Sequence, residues 1–260
     1  MAGREHAALS ASGRLLAVLA AFDHGHPALS LTEISRRAGL SLTTAHRLVA
    51  ALTEWGALER DRDGLYHVGL RLWELAALAP RGLPLRQVAL PYLEDLYEAT
   101  HENVQLAVRD GAEVVYTEWI SGRSSVGVRI QVGARWPLHA TGVGLALLAY
   151  TQGAFQDTYC AGPLAAYTPY TITDPARLRR ALSEVRRTGV AVSSRQVTED
   201  ALSVAAPVRG PDGPVVAAVS LVVPWAEARV PALVPAVRVA ARGVSRALGW
   251  RPAPRAEPGT

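Results

Sequence analysis

The chain has 260 residues, 49% of them hydrophobic, with 27 basic residues against 23 acidic ones and a formal net charge of +4. That is enough apolar chain for one large or two ordinary domains with cores of their own, so disorder is expected only at the tails. Every basic residue is arginine and Cys160 is the single cysteine. This forbids an intrachain disulfide, argues against a cysteine-based metal site and rules out a Walker-type lysine.

No stretch of about 18 uncharged apolar residues suggests a membrane span, and "MAGREHAALSAS" lacks the apolar core of a signal peptide. A cytoplasmic protein with no membrane partner and no cofactor is expected. Location says more than total charge. Residues 1–80 hold eight arginines and eight acidic residues, so the basic excess lies downstream. Nucleic-acid binding by the first part of the chain would therefore rest on placed contacts rather than on a bulk field.

In chain order, "GRLLAVLAAF" (13–22) has helical spacing and stops at "DHGHP". In "SLTEISRRAGL", Ser30 and Glu33 form a capping box, Leu31, Ile34 and Ala38 an apolar stripe, and Gly39 the turn. Ser41 then caps a helix running to about Glu54 and ending at Gly56. Its apolar positions Ala45, Leu48, Val49 and Leu52 share one face; Thr43, Thr44, His46 and Arg47 take the other. Two short helices joined by a tight glycine turn make a helix-turn-helix.

Strands are expected at Ala57–Arg60 and Leu65–Val68 around Asp63-Gly64, a strong hairpin signal. Helix-turn-helix followed by a hairpin reads as a winged helix. "LRLWELAALA" (70–79) adds an amphipathic helix, broken by "PRGLP". Beyond it come a helix over 84–100, two strands around Asp110-Gly111, a strand over 126–132, a short helix at "GVGLALLAY" after the loop "PLHAT", and a helix opened by Asp174-Pro175 and closed by Gly189. A hairpin turning at Asp212-Gly213 and a terminal helix over 231–248 follow. Hairpin-connected strands among helices imply an α+β domain with an antiparallel sheet.

Three stretches in order, "LSLTEISRRAGLSLTTAHRLVAALTEWGALERDRDGLYHVGLRLWELA", "PLHATGVGLALLA" and "RRTGVAVSSRQVTEDALSVAAPVRGPDGPVVAAVSLVVP", resemble the IclR family of bacterial transcription regulators. The resemblance spans roughly residues 13–249. It implies a winged helix-turn-helix DNA-binding domain (10–69), a linker helix (70–82) and a GAF-like effector-binding and oligomerisation domain (83–250). It further implies a homodimer or homotetramer on operator DNA, repressing or activating.

A major groove admits one α-helix, whose N-terminal residues reach base edges. Arg47 can make a bidentate contact to guanine; Thr43 and Thr44 can bond a base edge or touch a thymine methyl; Ser41 can bond a phosphate; the role of His46 stays open. Arg60 and Arg62, two apart, would share a face on regular strand geometry, with Asp61 and Asp63 between and beside them. Contact from one of the two arginines is expected, not both. Arg36 and Arg37 sit late on the preceding helix, where positive charge also suits the helix dipole.

The start of the helix at "HATGVGLALLAY" offers free backbone N–H groups and glycines that let a ligand approach. By the family's pattern, the effector pocket would be lined by Val128, Trp136, Gly142, Val143, Ser193, Ser203, Ser220 and Val222. Three positions depart from glyoxylate-type members: Ser193 stands at an acidic position, Ser203 at a cysteine and Val222 at a serine. The pocket would be less acidic and partly more apolar, suited to a larger or more aromatic organic acid.

As for catalysis, His101, His139, Asp110, Ser124 and Cys160 are suitable types, but no nucleophile elbow or metal-ligand spacing joins them. The reading is a DNA-binding regulator controlled by a small organic or aromatic acid, and not an enzyme. The alternative is a winged-helix protein whose second domain only oligomerises or binds a protein.

Overall fold

The computed structural model describes residues 10–79, 81–121 and 131–251. They fall in two compact units divided between Ala79 and Pro80. The first unit runs α1 (Ala11–Leu19), β1 (Ala28–Leu29), α2 (Leu31–Ala38), α3 (Leu42–Trp55), β2 (Leu58–Arg60), β3 (Tyr66–Val68) and α4 (Leu70–Ala77).

The capping box forms as expected. The Ser30 hydroxyl accepts from the Glu33 amide at 3.3 Å, and the Glu33 carboxylate accepts from the Ser30 amide at 2.8 Å. Leu48, Val49 and Leu52 of α3 pack with Val18, Ile34 and Leu58 in one core. Alternate-turn burial of this kind supplies most of a short helix's stability. The wing has a third strand that the hairpin signal did not announce: β1 pairs with β3, giving the order β1-β3-β2. Two residues between Pro27 and Ser30 are too few to show any alternation. Gly69 is required by close approach, since a Cβ there would lie 2.2 Å from the Gly56 carbonyl oxygen. It opens α4, which buries none of its residues; Leu70 is 63% exposed and Trp73 57%.

The second unit runs α5 (Leu83–Thr100), β4 (Asn103–Asp110), β5 (Glu113–Ile120), β6 (Arg135–Pro137), α6 (Gly142–Leu148), α7 (Gly153–Ala161), α8 (Pro175–Thr188), β7 (Ala191–Ser194), β8 (Ala201–Arg209), β9 (Val215–Pro224) and α9 (Val230–Ala247). Among the described residues the strands make one sheet, ordered β6-β5-β4-β9-β8-β7, with every pairing antiparallel. The α+β architecture read from the sequence is the one observed.

Helices cover both faces, so the central strands are apolar on both sides. Val104, Leu106 and Val108 point to the layer of α5 and α9. Ala107, with Ala205 and Ala218, points to the layer of α6 and α8, where Leu145, Leu148, Leu178 and Leu182 lie. Several elements differ from expectation, β7 among them, since no strand was read over 191–194. The strand expected over 126–132 lies largely outside the described residues, and its last two positions are not in a strand. Residues 135–137, of which Pro137 alone was read as part of a loop, form an edge strand whose three residues are too short to show a period. The nine-residue α7 was also unannounced, because "GAFQDTYCA" has little helical amphipathicity.

Candidate functional sites

On α3 the outward face carries Thr43, His46, Arg47 and Ala50, all exposed. Among the described residues neither the His46 ring nor the Arg47 guanidinium has an ion-pair or hydrogen-bond partner. Ser41 and Thr44 are differently placed. The Ser41 hydroxyl accepts from the Thr44 amide at 3.3 Å and donates to the Thr44 hydroxyl at 2.9 Å. Ser41 thus spends its hydroxyl on capping α3, and Thr44 turns its oxygen toward the cap rather than outward. Its hydroxyl hydrogen stays free.

The two wing arginines do not share a face, because Arg62 falls in the turn and not in β2. The Arg60 side chain folds back: its Nε donates to the Gly64 carbonyl at 3.2 Å and its guanidinium lies 5.4 Å from the Tyr66 ring centre. Arg62 stands exposed at the tip with no partner among the described residues. Asp61 is a turn builder. One of its carboxylate oxygens accepts from the Asp63 and Leu65 amides, and the other pairs with His67 Nε2 at 2.7 Å. The His67 bond, followed by the two amides, holds the carboxyl below its ordinary pKa. On α2, Arg37 is likewise committed, donating to the Ala21 carbonyl at 2.6 Å and pairing with Asp23, whereas Arg36 is exposed.

In the second unit a cavity opens on the α6 side of the sheet. Gln105 of β4 and Tyr116 of β5 form its floor, with Ser203 of β8 and Val222 of β9. Thr141 and Gly142 at the start of α6 close one side, and Gln196, Val197 and Thr198, between β7 and β8, form a roof. A Cβ on Gly142 would sit 2.4 Å from the Ser203 hydroxyl, so glycine there keeps the wall thin. The lining is neutral throughout, Tyr116 being held protonated by burial.

Donors inside are left unspent. Gln105 is 2% exposed, its Oε1 accepts from the Ser220 hydroxyl at 3.0 Å, and its Nε2 has no partner. The Thr198 hydroxyl is also buried and unpartnered. An unmade buried hydrogen bond costs about 1–3 kcal/mol, so such a group calls for an explanation.

The roof is anchored from outside. Thr168 and Thr171 donate to the carbonyls of Arg195 and Gln196, each at 2.6 Å. The Arg195 guanidinium lies 3.9 Å from the Tyr170 ring centre and 4.5 Å from that of Trp225. Arg195 itself has φ +59, a left-handed conformation uncommon for a side-chain-bearing residue.

Of the residues expected to line an effector pocket, Gly142, Ser193, Ser203 and Val222 are brought together here. Ser193 spends its hydroxyl on the Ala140 carbonyl at 3.0 Å. Ser220 stands behind the wall and orients Gln105. Val143 is buried in the core, and Trp136 sits on the edge strand β6 against Tyr167, with ring centres 5.2 Å apart. Neither lines the cavity. Val128 lies outside the described residues. The sequence reading missed Gln105, Tyr116, Thr141 and the roof. The signal for Gln105 was present as a glutamine inside the apolar run "NVQLAV".

The residues of catalytic type do not converge. His139 is buried and holds two loops together: its Nε2 donates to the Ala165 carbonyl and its Nδ1 accepts from the Tyr159 hydroxyl, both at 3.0 Å. Burial pushes its pKa down. Burial also pushes up the Cys160 thiol, which sits in the core. Asp110 pairs with Arg135, and His101 caps α5 in a left-handed conformation. Ser124 lies outside the described residues. Among the described residues no His, Cys, Asp or Glu cluster could hold a metal ion, and no helix is long and apolar enough to cross a membrane.

Two family models match the chain: the IclR helix-turn-helix domain over residues 13–62, and the C-terminal region of bacterial transcriptional regulator IclR over residues 78–246. The HTH-type transcriptional regulator KipR of Bacillus subtilis (strain 168) is 32% identical over 239 residues, covering 90% of this chain and 95% of the relative. Among solved structures, an IclR homolog from Microbacterium hydrocarbonoxydans complexed with 4-hydroxybenzoate is 37% identical, with a TM-score of 0.87, covering 90% of this chain and 97% of that one. The IclR of Thermotoga maritima is 26% identical, with a TM-score of 0.76, covering 91% and 98%.

Proposed function

The chain belongs to the IclR family of bacterial transcriptional regulators, which are not enzymes, and from that premise we propose that it reads an operator through α3 and the wing and is controlled by a small aromatic acid. The unpartnered Gln105 Nε2 inside the cavity carries the effector half of this reading. A buried donor without a partner is tolerated where a ligand's acceptor completes it. A carboxylate or phenol oxygen is the acceptor an aromatic acid brings, and the Microbacterium relative is complexed with such an acid. The neutral lining suits an acid held by hydrogen bonds rather than by an ion pair.

In the first unit, Arg47, Thr43 and His46 supply the outward face for base edges, and Arg62 supplies the wing's contact with the phosphate backbone. Arg60 stays with the hairpin. The exposed apolar side of α4 suits assembly into a homodimer or homotetramer, which would set the spacing of paired winged helices on a palindromic site.

The cavity volume is about 40 Å³, room for a few waters, whereas a dry cavity that takes benzene measures about 150 Å³. An aromatic effector therefore selects a wider form. The roof at 195–200, with its left-handed Arg195 and its outside anchors, is the segment to move. A ligand that favours the wide form shifts the population by its differential affinity and no more.

The test is fluorescence anisotropy with the duplex upstream of the chain's own gene, with and without a panel of aromatic acids including 4-hydroxybenzoate, alongside thermal melts. At least one acid is expected to raise the melting midpoint and change duplex affinity fivefold or more. A panel in which no acid moves either quantity overturns the effector reading and leaves a second unit that only assembles.

A further inference from the structure

Helix α6 starts at the Gln105 cavity, with Gly142 on its wall, and ends at a second cleft. That cleft is lined by Arg81, Arg109 of β4, Leu147 of α6, Tyr150, Phe155 of α7 and Val216 of β9, among others. It shares no lining residue with the Gln105 cavity. Its volume of about 490 Å³ falls within the range of about 300–1,000 Å³ common for small-molecule sites.

Arginine surrounds it. Arg81 donates to the Arg109 carbonyl at 2.9 Å. Arg109 donates to the Gly111 carbonyl at 2.9 Å, and its guanidinium lies 4.7 Å from the Phe155 ring centre. Arg209 lies 5.0 Å from the Tyr150 ring centre, and Arg186 donates to the Ala149 carbonyl at 3.2 Å. The acids Asp110 and Glu113 both pair with one arginine, Arg135. Arg81 and Arg109 act on Asp110 only through their charge. Among the described residues Arg81, Arg109, Arg186 and Arg209 pair with no carboxylate.

We propose that this cleft binds the phosphate group of a small organic phosphate monoester. A guanidinium is a planar fork that meets phosphate oxygens two at a time. Two such cations lining one cleft, with no acid paired to either, favour a dianion over a singly charged carboxylate. Both are already steadied by carbonyls, and Arg109 also by a ring, so binding immobilises little. The negative end of α6 would oppose an anion, but its carbonyls are covered. The Thr151 hydroxyl donates to the Leu148 carbonyl at 2.9 Å, and Gln156 joins Arg186 on that of Ala149. Leu147, Phe155 and Val216 give apolar wall for a carbon body, which inorganic phosphate lacks. A duplex backbone offers diesters of single charge, not the terminal dianion.

The experiment is calorimetric titration of the full chain with phenyl phosphate at low salt. At about pH 7.5 the probe is a dianion, since its second pKa is about 6. R81Q and R109Q are each expected to weaken binding at least fivefold. R177Q removes an exposed arginine of α8 that does not line the cleft and is expected to change nothing. Arg81 is exposed, so R81Q tests the site even where R109Q loses its packing on Phe155. Inorganic phosphate is expected to bind at least fivefold more weakly than phenyl phosphate, and scrambled-duplex affinity to stay unchanged in R81Q and R109Q. The proposal is overturned by no binding of phenyl phosphate, by binding that R81Q and R109Q leave intact, or by an equal loss in R177Q. Inorganic phosphate as tight as phenyl phosphate, or a parallel loss of duplex binding, overturns it as well. The outcome is independent of whether any acid binds the Gln105 cavity.

Discussion

The two units hold their unspent polar groups in opposite places. In the first, Arg47, His46 and Arg62 stand in solvent, where water satisfies them until something else does. In the second, the Gln105 Nε2 is buried inside with no partner. An exposed reading face costs the free protein little, so nothing in its energetics distinguishes it from an ordinary solvated helix. A buried unmade hydrogen bond costs stability, and that cost is what the proposed effector would relieve.

The largest expected effect breaks the outer half of the comparison. Arg47→Ala removes a guanidinium able to make a bidentate contact to guanine. It should weaken specific duplex binding about 5- to 150-fold, the equivalent of about 1–3 kcal/mol, and leave scrambled-duplex binding nearly unchanged, as read by anisotropy on both. Equal loss on the two duplexes would reduce Arg47 to a phosphate contact.

Next comes the inner half. Replacing Gln105→Leu together with Ser220→Ala removes the orphan donor and the hydroxyl that bonds its carbonyl. Effector affinity should fall about tenfold while the melting midpoint holds or rises, because two buried polar groups have gone. A fall in both would mean that the pair is structural.

The smallest effect separates the two wing arginines. Arg62→Ala should reduce affinity for every duplex a few-fold and lower the salt slope by about one unit. Arg60→Ala should leave the slope alone and lower the melting midpoint slightly, in keeping with about 0.5–1 kcal/mol for an exposed cation–π contact. Identical behaviour of the two variants would erase the distinction between a free arginine and a folded-back one.

Much of the first unit was legible because its signals are local. The Ser30–Glu33 box, the stripe of Leu48, Val49 and Leu52, and the turn at Gly64 all involve residues within four positions of one another. The fate of Arg60 was less legible. Its return to the Gly64 carbonyl depends on how the turn closes, which regular strand geometry does not anticipate. In the second unit, position along the chain misled where facing mattered. Val143 follows Gly142 directly, yet one is in the core and the other on the cavity wall, since successive positions on a helix point about 100° apart.

By itself the sequence determined the longer elements, their caps and turns, the α+β class and the two-faced character of α3, because each follows from short-range backbone chemistry and periodic burial; the short β1, β6 and β7 and the weakly amphipathic α7 escaped it. Tertiary structure alone decided which polar groups are spent. Gln105 meets Ser220 across 115 positions of chain because β4 pairs with β9 in one register. That register is set by packing both faces of the sheet at once, a condition no local stretch carries.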